Sequence, residues 1–422
     1  MVALMLILFT VGIFIGIPIA LALGISSMLA INFLGDLPLM ISGQMLYAAG
    51  DSFSLMAIPF FMLAGSLMGH GGLSRRLIDF ADMFVGGLNG GLGTIAIVTS
   101  MFFAAISGSG PATVAALGAI IIPGMMKAGY ESGYSSSLMA TAGAIGIIIP
   151  PSIPMILYGV QAEVSIAKIF MAGMGPGFLF GGVLLLLNYY TSRKHGYKRP
   201  PEEAAAKCGW DVIFSLAMPF IILGGIYGGI FTPTEASGVA VFYGFIVGAF
   251  VYRELNFKNI PIILVEAAIG SAVVMLIVMC ASLFSFVLVS QGAPQALIGF
   301  ISELTDNKIL ILLMINLFLL LAGCFLDASS AIIVLTPILL PLATSIGVDP
   351  THFGVIMVVN LAIGLITPPV GLDLYVACGI SKISLEKISR SILPFLAVTI
   401  LALMMITYIP SIAMFLPKVL GY

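Results

Sequence analysis

Long apolar runs separated by short polar breaks dominate the 422-residue chain. Apolar stretches cover residues 2–34, 51–72, 165–191, 212–231, 236–252, 260–290 and 391–416. A helix needs about 20 such residues to cross a hydrocarbon core about 30 Å thick. The first stretch exceeds that length and predicts one tilted or kinked span. Residues 73–84 (LSRRLIDFADMF) mix charge and apolar side chains at helical spacing, which predicts an amphipathic helix lying along the interface. Two regions flank a polar tip with apolar arms: 90–126, interrupted by ISGSGPAT at 106–113, and 308–346, interrupted by LDASS at 326–330. Arms too short to cross comfortably predict re-entrant helical hairpins. Residues 134–160 and 352–380 each carry a double proline inside an apolar run and predict broken helices.

The pattern repeats. AIGIIIPPS at 144–152 returns as AIGLITPPV at 362–370, 218 positions later. At that offset Pro123 falls on Pro341, Glu131 on Asp349, and Ser109 on Asp327. The chain therefore divides into a first repeat half (1–191), a polar linker (192–210) and a second half (211–422). Broken helices at matching positions of two halves point to a transporter's binding site.

Composition agrees. The chain is 60% hydrophobic and 8% charged, with mean hydropathy +1.20, where soluble domains carry about 25% charged residues. No basic, aromatic-rich run suggests nucleic acid, and no nucleophile–base pair or metal set suggests an enzyme. Charge sets the orientation. With the linker and its Arg193, Lys194, Lys198, Arg199 and Lys207 in the cytoplasm, 13 of the 16 Lys and Arg residues fall on that side. Lys168, Lys308 and Lys418 fall outside. Nine crossings then place the N-terminus inside and the C-terminus outside. The two hairpins enter from opposite sides, so the repeat is inverted.

The chemistry lies at the breaks and tips. Double prolines free backbone carbonyls at membrane depth, where each unsatisfied group costs several kcal/mol. Carbonyls with hydroxyls and at most one carboxylate suit sodium. The first tip offers Ser107, Ser109 and Thr113. The second offers Asp327, Ser329 and Ser330, with Asp327 the deep carboxylate and Asp373 a shallower one. A central ionised carboxylate costs about 3 kcal/mol to insert, and a bound cation compensates it. Hairpin helices ending at the midplane present N–H groups and a positive dipole end to an anionic substrate. Gly108 and Gly110 with Thr113, and Ser329 and Ser330, form that expected substrate space.

SGSGPATVAALG (107–118), AIGIIIPPS, FLDASSAIIVLTPILLP (325–341), AIGLITPPVGLDLYV (362–376) and FTPTEASGVA (231–240) resemble the large membrane subunit, DctM- or SiaM-like, of tripartite ATP-independent periplasmic (TRAP) transporters. The resemblance covers essentially the whole chain. It implies an all-α, inverted-repeat, elevator-type importer of organic anions in the bacterial inner membrane, with sodium as coupling ion and no other cofactor. It implies two partners: a small four-helix membrane subunit, expected as a separate polypeptide, and a periplasmic substrate-binding protein. Carried over by motif, a first sodium lies between Ser107, Ser109 and the carbonyls of Gly146, Ile149 and Pro151. A second lies between Asp327 and Gly364, Thr367 and Pro369. Among substrates, the chain leans toward members handling sialic acid, with C4-dicarboxylates next. A stand-alone sodium/dicarboxylate symporter and, as another class, an ion channel are the alternatives.

Overall fold

The computed structural model describes residues 2–34, 38–87, 90–197, 209 and 211–422. Most of the expected linker, including Lys198, Arg199 and Lys207, lies outside the described residues. Described residues are helical or in turns, with no strand among them.

The expected single first span is two helices, α1 (Val2–Ile15) and α2 (Ile19–Leu34), which pack on each other. The reason lies at the joint. Gly16 adopts a positive φ of 88°, and Pro18 supplies no amide donor for the next turn. The chain bends so sharply that a Cβ on Gly12 would stand 3.3 Å from that of Ala22. A third helix, α3 (Met40–Gly50), precedes α4 (Ala57–His70), the main helix of the expected 51–72 span. The amphipathic segment is α5 (Leu73–Val85), which buries Leu73, Leu77 and Ala81 on one face.

The first hairpin consists of α6 (Gly91–Ser107) and α7 (Gly110–Lys127), with Gly108 and Ser109 at the tip. Its arms of 17 and 18 residues are about 26 Å long at 1.5 Å per residue, longer than half-span arms. The first broken helix is α8 (Ser132–Ala144), a 3₁₀ turn (Ile145–Ile147), an extended piece with a cis Pro150–Pro151 bond, and α9 (Ile153–Gln161). A 30-residue α10 (Ile166–His195) follows, entering the expected linker by four residues. The next helices are α11 (Val212–Tyr227), α12 (Pro233–Ile246) with a π turn at Val247–Val251, and a 31-residue α13 (Ile260–Ser290). An unanticipated α14 (Ala293–Leu304) precedes the second hairpin, α15 (Lys308–Phe325) and α16 (Ala328–Ser345). Then come α17 (Pro350–Gly364), a second cis bond at Pro368–Pro369, and α18 (Leu372–Ser381). The expected last span, 391–416, is α20 (Leu393–Tyr408) followed by α21 (Ser411–Val419), and α19 (Leu385–Ser391) before it is bent 53° from α20.

Among the described residues seven helices are long and apolar enough to cross a membrane, or eight counting the bent α19–α20 pair as one span. The packing crosses between halves. α7 of the first hairpin packs on α18, beyond the second break, and α16 of the second hairpin packs on α9, beyond the first. Each break is thus roofed by the hairpin of its own half and flanked by that of the other. α4 packs on α12, while α2, α3 and α4 pack on α13.

Candidate functional site

The first tip is a cluster of oxygens. Thr113 donates its hydroxyl to the Ser109 carbonyl at 2.8 Å, and the Ser107 hydroxyl stands 2.7 Å from that of Thr113. Gly108 makes the turn with φ +60°, and a Cβ there would lie 2.9 Å from the Pro151 carbonyl oxygen. The tip is also tied to the break by the Ile153 amide, which donates to the Gly108 carbonyl at 3.3 Å. Gly146 faces the same cluster: a side chain on it would stand 2.6 Å from the Thr113 hydroxyl and 2.7 Å from the Ser109 carbonyl. Ser107, Ser109, Gly146 and Pro151 are therefore brought together. The Ile149 side chain lies against Gly177 of α10; the atom expected to face the cation is its carbonyl. Ser152 closes the break by donating to the Ile147 carbonyl at 2.6 Å and capping α9.

The second tip is built differently. Asp327 is the N-cap of α16, accepting from the Ser330 amide at 3.1 Å and from the Ser330 hydroxyl. Gly364 approaches the hairpin through backbone alone: a Cβ there would meet Gly323 Cα at 2.5 Å and its carbonyl oxygen at 2.8 Å. Thr367 folds over the end of α17, its amide on the Gly364 carbonyl at 3.0 Å and its hydroxyl on the Ile363 carbonyl at 2.7 Å. Pro369 follows in the cis Pro368–Pro369 bond.

A cavity of about 750 Å³ joins the two tips, lined by Ser107, Gly108 and Ser109 on one side and Asp327, Ala328 and Ser329 on the other. Gly65, Ser66 and Gly69 of α4 form another wall. Arg75, Glu254 and Glu266 line it as well, with His70, whose Nε2 stands 3.7 Å from the Glu266 carboxylate. Beside them Arg76 bonds Asp211 at 2.9 Å and Glu254 at 2.7 Å, its guanidinium 3.7 Å over the Tyr252 ring. This joins α5 to the start of α11 and the end of the π turn.

Of the residues expected to face substrate, Gly108 and Ser329 line the cavity. Thr113 and Ser330 are fully buried and serve the tips from within, and Gly110 presses on the Asp373 carboxylate. The two carboxylates differ in how far the protein covers them. Asp327 is half-buried on the cavity wall, and Asp373 is fully buried.

Residues 6–412 match the family described as "Tripartite ATP-independent periplasmic transporter, DctM component". The chain belongs to this family. Among its relatives, the isethionate TRAP transporter permease protein DctMQ of Oleidesulfovibrio alaskensis is 47% identical over 96% of this chain and 65% of that protein, so this chain spans under two thirds of its length. The C4-dicarboxylate TRAP transporter large permease protein DctM of Rhodobacter capsulatus is 37% identical, covering 96% of each. The sialic acid TRAP transporter large permease protein SiaM of Vibrio cholerae is 35% identical, covering 97% of each. A solved structure, the Alcanivorax borkumensis YdaH transporter, aligns with a TM-score of 0.58 at 16% identity, covering 89% of this chain and 86% of that one. That likeness is one of fold. The chain is thus an all-helical, multi-pass membrane protein and a transporter membrane component.

Proposed function

We propose that this chain moves an organic acid anion into the cell across the bacterial inner membrane, coupled to sodium, by an elevator movement of the hairpins and broken helices. One observation carries the reading: the oxygen cluster of Ser107, Ser109 and Thr113 sits against Gly146 and the Pro151 carbonyl, at the wall of a cavity both tips line. Hydroxyl and carbonyl oxygens without a fixed charge fit a weakly held hard cation. Asp327 with Gly364, Thr367 and Pro369 would hold the second ion, with a carboxylate where the first has Ser109. Within a wall that also carries Glu254, Glu266 and Asp327, Arg75 and the dipole ends of α7 and α16 are the features that favour an anion.

Two sodium ions with a monoanion carry one net charge inward, which gains about 2.3 kcal/mol per 100 mV. A tenfold sodium gradient adds about 1.4 kcal/mol per ion. The partners are a small membrane subunit and a periplasmic binding protein, as the word tripartite in the family's description suggests. The linker lies in the cytoplasm with the N-terminus, and the C-terminus in the periplasm, as the charge count supports. For substrate, the 47% identity to the isethionate permease against 35% to the sialic acid permease moves the lean from sialic acid to a small sulfonate or carboxylate.

Uptake by proteoliposomes holding this chain and both partners is the test. We expect uptake to fall at least tenfold when choline replaces sodium with no proton gradient; unchanged uptake would rule sodium out. Asp327→Asn should lower apparent sodium affinity, and a wild-type sodium curve in that variant clears Asp327 of the role.

A further inference from the structure

Directly behind the cavity wall lies a carboxylate that the two proline-break sites do not use. Asp373, in the first turn of α18, has no exposed surface, and neither carboxylate oxygen has a hydrogen-bond partner. Its backbone amide donates to the Leu365 carbonyl at 3.0 Å, which fixes the turn and leaves the carboxylate free. The carboxylate faces the first residue of α7: a methyl on Gly110 would stand 2.9 Å from Oδ2 and 3.1 Å from Oδ1. Leu365, whose carbonyl accepts the Asp373 amide, and Leu372, its neighbour in sequence, both line the cavity.

The elements packed against α18 are α7, α8 and α19, and their charges are engaged or distant. Lys387 bonds Ser132, Arg390 bonds Glu386, and the Tyr134 hydroxyl donates to Asn188. Glu131 is exposed at the start of α8, and Lys127 ends α7, about 25 Å from Gly110 along the helix. Tyr375 on α18 and Lys382 just after it make no hydrogen bond to the carboxylate either. An ionised carboxylate so placed is strongly disfavoured unless something positive joins it. The repeat shows that the fold does not require one. At the 218-residue offset Asp373 corresponds to Met155, an apolar side chain packed against Gly173, and Gly110 corresponds to Ala328.

We propose that Asp373 is a third cation-accepting group, taking up a sodium ion or a proton against Gly110 in addition to ions at the two breaks. It deepens the coupled-transport reading and rests on that reading for its consequence, one further charge per cycle. Its test needs no transport. The thermal unfolding midpoint of the purified chain in detergent is followed against sodium at fixed pH, and against pH in choline, for wild type, Asp373→Asn and Asp327→Asn. If the ion is sodium, Asp373→Asn at least halves the sodium-induced rise and leaves the choline pH profile alone. If it is a proton, the same variant flattens the pH profile and leaves the sodium curve alone. Wild-type curves in both series overturn the proposal. Loss of the sodium response in wild type itself, with the pH profile still changed by Asp373→Asn, would sink sodium coupling and keep Asp373. Should Asp373→Asn not fold, infrared difference spectra in the Asp327→Asn background decide. A carboxyl band that shifts with sodium or pH is expected, and aspartate bands insensitive to both refute it.

Discussion

Gly364 shows how little room the second hairpin leaves. Its Cα and that of Gly323 meet with no side chain between them. Gly364→Ala must push α15 from α17, and overpacking of this kind costs about 1–3 kcal/mol. We expect a matching fall in the thermal midpoint of the purified chain; an unchanged midpoint would show that α15 moves aside freely. At this scale the sequence was legible where residue type announces a break. The tips and double prolines mark the two breaks, whereas grouping Ser107, Ser109, Gly146 and Pro151 rests on the resemblance of their motifs to the family's. The burial of Asp373 was not legible, because it depends on how α7 covers the second break, far away in sequence. The inward turn of Thr113 was not legible for a related reason. Its position near the tip did not show that its hydroxyl points inward, at Ser109.

At the scale of elements, the two broken helices begin unequally. Asp349 caps α17, accepting from the amides of Thr351 at 2.8 Å and His352 at 3.2 Å. Glu131, its counterpart on α8, makes no side-chain cap. Asp349→Ala should therefore cost about 1 kcal/mol of stability, and Glu131→Ala about 0.5 kcal/mol or less. Denaturant midpoints of the two variants compare them directly, and equal losses would deny the cap its weight. The hairpins and breaks were readable because Gly, Ser and Pro interrupt long apolar runs at a fixed offset. The α1–α2 pair was not. An apolar run of 33 residues fits one tilted span as well as two short helices, and only the positive φ at Gly16 decides. α14 hides in a similar way, as an amphipathic turn between two much stronger apolar signals.

For the whole molecule, the exchange of partners between halves is the organising fact. Because α7 packs on α18 and α16 on α9, the hairpins and breaks should travel as one body in the proposed elevator. Gly118 and Ile380 lie across the α7–α18 contact, where a Cβ on Gly118 would be 3.2 Å from the Ile380 side chain. Cysteines at 118 and 380 joined by a short bridging reagent should leave uptake within about twofold of the unbridged protein; this follows from an interface that does not open. Bridging that stops uptake would mean that α7 and α18 part during the cycle.

The same exchange bears on how the protein is made. α7 ends at Lys127 and its partner α18 begins at Leu372. At about 5–20 residues per second, the ribosome needs on the order of 12–50 seconds to supply that partner. Through that interval the first hairpin is in the membrane with the flank meant for α18 uncovered. Newborn chains stalled before residue 372 should accordingly be the ones that membrane quality-control proteases cut within the first hairpin, a vulnerability that ends when the second half arrives.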